Sequence, residues 1–204
     1  MRTVVVCEVE DVLFAGRFWM PFIRRQVESG CLRGWLWRHK WGWLASFRSS
    51  AAHVRFCRRL WDDEVAGLPY AYLSRSLLYY TGRSLRWCRP ALYRSLEARI
   101  KAGDTVYIVS TAVYEWADRL FASFRPKVLA DALAHEEGQT LPSFSGPLCM
   151  GEEALRRFRE AEPERAGYRL VVYATGRNRP LLHDADEAHR YKRRLWRRRR
   201  EYQW

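Results

Sequence analysis

The stretch that most restricts what this chain can fold into is residues 3–14, TVVVCEVEDVLF. Val4, Val5, Val6 and Cys7 follow one another without a polar break, so a strand built from them has no face to turn toward water. Such a run belongs to a parallel sheet covered on both sides, and parallel neighbours need crossover connections, usually helical. Glu8 and Glu10 close the run. They stand where open α/β sheets place their ligands, just beyond the carboxyl end of a strand. On their own the same residues also fit a solvated strand-to-helix turn.

Similar apolar runs recur at 106–109 and 170–173, with a shorter one at 127–130. Helical patterns separate them: Pro90 opens a helix that stops at Gly103, another covers 113–124, and a third covers 151–160. A hairpin is expected over 132–144 around Glu137-Gly138, and a polar loop over 162–167. Between the first and second strands lies a long insertion with helical spacing only. Its first helix, 18–29, carries Phe18, Phe22, Ile23 and Val27 on one side, with Gly30 as its stop; further helices are expected at 51–61 and 69–80. The predicted fold is therefore α/β: a Rossmann-like parallel core from residues 1–14 and 102–191, an all-helical cap and linker helix from 15–101 inserted after strand 1, and a basic tail, 192–204. Ser110 and Thr111 are expected to end the second strand and cap the next helix. Their hydroxyls and free N–H groups there would bind phosphate.

Charge is distributed unevenly along this order. The net charge of the 204 residues is +13. Residues 15–101 hold 17 Lys/Arg against 5 Asp/Glu, and 189–204 hold 8 against 1. Two basic segments attached to an acidic core point to a polyanionic partner. The five cysteines are scattered without a C-x-x-C pair, which argues against zinc and against a disulfide framework. No apolar run is long enough to span a membrane, and the N-terminus lacks the layout of a signal peptide. A cytosolic protein is expected, with contact to a membrane confined to its periphery.

Within the cap, Trp35, Trp37, Trp41 and Trp43 are interleaved with Arg33, Arg38, His39 and Lys40. If this segment is helical, Trp37, Trp41 and Leu44 share a stripe. Indoles beside Lys and Arg have the composition of a membrane-interface surface, which makes Trp35, Trp37, Arg38, Lys40 and Trp41 candidate binding residues. The competing reading makes these indoles the core of a small helical insertion.

Taken in order, these landmarks resemble the haloacid dehalogenase superfamily of phosphatases, in particular the phosphoserine phosphatase-like and phosphatidylglycerophosphatase C-like branch. The likeness covers roughly residues 3–191. Its best-kept part is RSLEARIKAGDTVYIVSTA, residues 94–112, where Ser110 matches the phosphate-binding hydroxyl. GPLCMGEEALRRF resembles the family's G-x-x-C-x-G-x-x-K element, and Pro180-Leu181-Leu182 follows the position of its last motif. The resemblance implies a magnesium-dependent phosphomonoester hydrolase with an aspartate nucleophile and a second aspartate as acid and base. Every departure falls on that chemistry. Glu8 and Glu10 stand where the family has D-x-D, Ala154 replaces the lysine, and Ala174 and Asn178 replace the acidic pair of D-S-x-x-D. Glu8 lengthens the nucleophile by a methylene, and misplacement on the order of 1 Å can lower a rate by about 10²-fold. Arg157, one turn beyond Ala154, could reach back, but a planar guanidinium fork does not replace a point charge well.

Three functions follow as expectations. The first is a catalytically impaired pseudo-phosphatase, with no cofactor, that binds an anionic membrane or an acidic protein through its cap and tail. The second is a divergent magnesium-dependent phosphatase for a phosphomonoester, such as a lipid phosphate, with Glu8 as nucleophile and Glu10 as acid and base. The third is nucleic-acid binding through the Arg-rich tail, which also carries Trp196, Tyr202 and Trp204.

Overall fold

The computed structural model describes residues 2–15, 18–27, 29–141 and 147–192. Five strands form one fully parallel sheet: β1 (Arg2–Glu8), β2 (Thr105–Val113), β3 (Lys127–Asp131), β6 (Tyr168–Thr175) and β7 (Glu187–Tyr191), in the order β3-β2-β1-β6-β7. Strand β1 is central, with Cys7 level with Ile108 on one side and Tyr173 on the other. Its apolar run serves both faces. Val5 and Cys7 join one buried cluster, while Val4 and Val6 join a second on the opposite side, as the two-residue period of a strand requires.

The insertion after β1 is helical, as expected. It comprises α1 (Trp19–Gln26), α2 (Ser29–Arg38), α3 (Lys40–Ser46), α4 (Ser50–Glu64) and α5 (Tyr70–Ser84), followed by α6 (Pro90–Lys101). Helix α6 begins with Pro90 at its first position and ends before Gly103, whose φ of +92° turns the chain into β2. Gly30 is not a stop signal. Helix α1 already ends at Val27, which is extended, and Gly30 lies inside α2. Residues 31–47 form two short helices that meet at His39. The hydrogen bonds His39 N–H to Trp35 O (3.0 Å) and Trp43 N–H to His39 O (2.9 Å) carry the ladder across the joint.

The cap is not packed as a separate body. Phe18, Trp19, Phe22, Trp61, Leu73 and Tyr80 share one buried cluster with Val5, Val106, Ile108 and Val171 of the sheet and with Trp116 of α7 (Tyr114–Leu120). Phe18 and Trp116 lie 4.8 Å apart, Phe22 and Tyr80 5.5 Å. Polar ties reinforce this seam. The Trp19 indole donates to Thr111 O (2.9 Å), and Arg119 donates to Ser74 O and Oγ (2.7 and 3.0 Å). The small hairpin of β4 (His135–Glu136) and β5 (Gln139–Thr140) pairs its backbone with the start of α5 through Tyr70 N–H to Gly138 O (2.7 Å). Its turn has Glu137 and Gly138 at positive φ, matching the expected site. Residues 142–144 of the expected hairpin lie outside the described residues.

Two boundaries matter for the site. Strand β2 runs on to Val113, with a register shift against β3 between Val109 and Val113. Ser110 and Thr111 are thus strand residues, and no side chain caps α7. Strand β7 was not foreseen, because Glu187-Ala-His-Arg-Tyr is an edge strand, only half covered, and carries no apolar run. On the far face of the sheet, α8 (Glu152–Ala161) and α9 (Arg179–Asp184) complete the core.

Candidate functional site

The carboxyl ends of β1, β2 and β6 meet in one crevice, and the chain after β1 is folded tightly into it. Leu13 N–H returns to Glu8 O (3.3 Å) and Phe14 N–H to Val9 O (2.7 Å). Asp11 takes a positive φ of 67° within this turn, a conformation Asp tolerates better than most residues. Val9, Val12, Leu13 and Phe14 are buried beneath it. The turn therefore holds Glu8, Glu10 and Asp11 over the sheet's end, and both glutamates are almost fully buried.

Glu10 is held by β2. Its Oε1 accepts from the Ser110 hydroxyl (2.8 Å) and from Ala112 N–H (3.0 Å), and its Oε2 accepts from Thr111 N–H (3.3 Å). A hydroxyl and two successive backbone N–H groups aimed at one point form an anion cradle of the kind that binds phosphate. Here a carboxylate of the chain itself lies in it.

Glu8 is held by β6. Its Oε2 accepts from Thr175 N–H (2.7 Å) and from the Thr175 hydroxyl (2.9 Å). Its Oε1 pairs with Arg177. Burial pushes the Glu8 carboxyl above its usual range, with the neighbouring Glu10 adding to the effect, even though Arg177 and Thr175 pull the other way. Both oxygens are engaged, so an incoming phosphorus would compete with these partners for the carboxylate.

Arg177 is the residue that sequence reasoning missed. Its Nη2 atom lies among three oxygens: the Glu8 carboxylate, the Glu10 carbonyl at 2.6 Å and Asp11 Oδ2 at 3.3 Å. Its Nε donates to Thr175 Oγ1 (3.1 Å). The signal available was a basic residue between Ala174 and Asn178, the two positions that the resemblance assigns to carboxylates, so a cation stands where the resemblance implies anions.

The remaining positions explain why nothing displaces this arrangement. Ala154 and Ala174 are both buried in the same apolar cluster. The positions that the resemblance assigns to a lysine and a carboxylate have thus become small and apolar together. Asn178 is buried, and its Oδ1 accepts from Gly151 N–H (2.8 Å). It ties the loop before α8 to the end of β6. Gly151 has a φ of +64° and sits against the Arg177 carbonyl, so a side chain there would be strained. Arg157 does not reach back to Glu8. Its guanidinium lies 2.7 Å from Asp131 and 2.7 Å from Glu153, and donates to Pro147 O (2.9 Å). Asp131, buried at the end of β3, also pairs with Arg58 of α4 and so clamps the cap to the core.

Magnesium does not fit this crevice. It requires near-octahedral oxygen ligands at about 2.1 Å and keeps several waters. The three oxygens that face one another already surround a guanidinium nitrogen, and Ala174 and Asn178 add no carboxylate. Among the described residues, no group of three or more His, Cys, Asp or Glu is placed to hold a metal.

The candidate cap residues divide. Trp35 is buried, 1% exposed, and its indole donates to Asp63 Oδ2 (2.8 Å). It packs at a tilt against His39 and edge-on against Phe56, and belongs to the cap's core. Trp37 and Trp41 are 72% and 75% exposed, with the Lys40 ammonium 4.6 and 5.8 Å from their rings. Arg38 is exposed and lies 3.9 Å from Glu64. Thus one indole of the three is structural and two face outward.

No protein-family model and no curated protein matches the chain. Solved structures do. A protein of unknown function from Bordetella pertussis Tohama I superposes with a TM-score of 0.72 at 13% identity, covering 89% of this chain and 86% of that one. A HAD family hydrolase from Salmonella enterica serovar Typhi gives 0.65 at 12% identity, covering 90% and 60%. Phosphoserine phosphatase from T. onnurineus gives 0.58 at 15% identity, covering 93% and 84%. At these identities the likeness speaks for architecture and not for activity, and the chain's architecture is the haloacid dehalogenase-like fold.

Proposed function

We propose that this protein is a pseudo-phosphatase: a haloacid dehalogenase-like fold that no longer hydrolyses phosphate esters and acts by binding through its basic, Trp-bearing cap. One observation carries this reading. Both charged positions of the crevice are filled by the chain's own side chains, the anion cradle by Glu10 and the cation position by Arg177. An incoming phosphoryl group would have to expel a buried carboxylate from three hydrogen bonds. It would then meet a nucleophile position whose two oxygens are both occupied. Electrostatic stabilisation is usually the largest part of catalysis. Here the groups that would supply it neutralise one another.

The test is steady-state hydrolysis of an aryl phosphate and of a lipid phosphate, with and without magnesium, for the native chain and Glu8→Gln. The expected result is background rate in all arms. A native rate well above background that vanishes in Glu8→Gln would replace this reading with the divergent phosphatase. The nucleic-acid reading depends on the tail, and residues 193–204 lie outside the described residues.

A further inference from the structure

The face of α2 and α3 that carries Trp37 and Trp41 holds the two most exposed large hydrophobic side chains among the described residues. Trp37, Trp41, Leu44 and Phe47 are all at least half exposed, and they follow one another at helical spacing across the His39 joint. Exposing two indoles, a leucine and a phenylalanine side by side is unfavourable in water and marks an interaction surface. Within the segment itself the charge is of one sign, and Asp63 and Glu64 at the end of α4 border it. Residues 29–61 contain seven Lys/Arg and no Asp or Glu. Arg58 is committed to Asp131 and Arg38 lies 3.9 Å from Glu64, but Arg33, Lys40 and Arg48 are exposed and have no carboxylate partner among the described residues.

We propose that this α2–α3 face docks on the surface of an anionic phospholipid bilayer, with Trp37, Trp41, Leu44 and Phe47 entering the headgroup–acyl boundary and Arg33, Lys40 and Arg48 meeting lipid phosphates. The proposal rests on the reading of the cap as the binding element and names its partner. Lipid fits better than other polyanions for two reasons. Leu44 and Phe47 gain from an apolar medium, which nucleic acid phosphates do not offer. The Lys40 ammonium also lies against both indole rings, so those rings are paired with a cation and are not open platforms for stacked bases. A ring that is apolar in body with a polar N–H edge, next to a flexible cation, is suited to the interface between headgroups and tails. No helix among the described residues is long and apolar enough to cross the membrane, so docking would be peripheral.

The test uses the full chain and two substituted chains, Trp37→Ala/Trp41→Ala and Lys40→Gln. All three positions are exposed, so the fold should survive, and circular dichroism checks this. Each protein is sedimented with vesicles of phosphatidylcholine alone and of phosphatidylcholine mixed with phosphatidylglycerol, at low and high salt. The native chain should bind the mixed vesicles only, and less in high salt. Lys40→Gln should weaken partitioning about fivefold, and the double substitution about tenfold or more. Phospholipids brominated on their acyl chains should quench native tryptophan fluorescence, and the double substitution should remove most of that quenching.

Equal binding to neutral vesicles, no binding, or full binding by the double variant would overturn the proposal; the last would move the contact to another basic segment. A gel shift with single-stranded RNA that the double substitution abolishes would also overturn it, in favour of nucleic acid. Phosphatase assays on the same preparations separate the two claims. Absent vesicle binding with absent hydrolysis refutes the lipid surface and leaves the closed crevice standing. Hydrolysis refutes the closed crevice whatever the vesicles show.

Discussion

Substituting Arg177 by methionine removes the cation paired with Glu8 while keeping most of the side chain's length. In the native chain that guanidinium pairs with the Glu8 carboxylate, donates to Glu10 O at 2.6 Å and lies 3.3 Å from Asp11. Without it, Glu8 keeps its two contacts to Thr175 but remains a buried carboxylate with no counter-charge, and Glu10 O loses a donor. Breaking a buried pair from one side typically destabilises by about 3–5 kcal/mol, a large share of the roughly 5–15 kcal/mol that holds a domain folded. The effect should depend on pH with a definite sign. Glu8 already has its folded pKa raised above 4.5, and losing Arg177 raises it further. A raised carboxyl contributes stability that is fully present below its unfolded pKa and is lost as pH rises through the folded value. Arg177→Met should therefore be much more harmful at pH 8 than at pH 5. Adding Glu8→Gln removes the stranded charge, so the double variant should be more stable than Arg177→Met alone at pH 8, by about 1–3 kcal/mol of coupling. Urea unfolding of the native chain, both single variants and the double variant at the two pH values measures this directly. A single variant within 1 kcal/mol of native stability at pH 8, or a double variant no better than the single, would show that Arg177 is not the crevice's counter-ion.

Ala154→Lys would bury an ammonium in the apolar cluster it shares with Ala174, with no carboxylate opposite. It should lower Tm by roughly 5–10 °C, yield no phosphatase activity, and be partly rescued by Ala174→Asp in a differential scanning experiment. Asp131→Asn should loosen the clamp between Arg58 and Arg157 and raise amide hydrogen exchange in α4 and the start of α8, while a silent exchange profile would assign that pair no closing role. Glu153 is held well below the usual 4.5, at about 2, chiefly by its hydrogen bond to Arg156 with Arg157 also contributing. Its contribution to stability is present above pH 4.5 and lost as pH falls toward 2, so Glu153→Gln should flatten acid unfolding in that window. Millimolar magnesium should leave the native Tm unchanged, and an increase would contradict the placement of Arg177 at the cation position.

The sheet was legible because its three interior strands are apolar at consecutive positions, which only a doubly covered sheet accommodates. The helical cap was legible because 15–101 has no strand pattern at all. The departures of Glu8, Ala154, Ala174 and Asn178 from the motifs of the resembled family could also be read residue by residue. Strand β7 was hidden, since an edge strand with one covered face needs no apolar run. The extension of β2 past Ser110 was hidden for a related reason: a Ser-Thr pair favours a turn locally, and here the chain stays extended to a further pairing of Val113 with Asp131 while Glu10 satisfies the donors of the stretch between. Trp35, Trp37 and Trp41 look alike in sequence. The joint at His39 and the packing of α4 bury the first and leave the other two outside. Arg177 shows the same limit most sharply. Its identity was in plain view, but that its guanidinium would meet Glu8, Glu10 and Asp11, nearly 170 residues away, is a consequence of β1 and β6 lying side by side. Sequence determined which charged residues the crevice could draw on. Tertiary structure alone decided which charges filled it, because adjacency in a parallel sheet is set by strand order and not by distance along the chain.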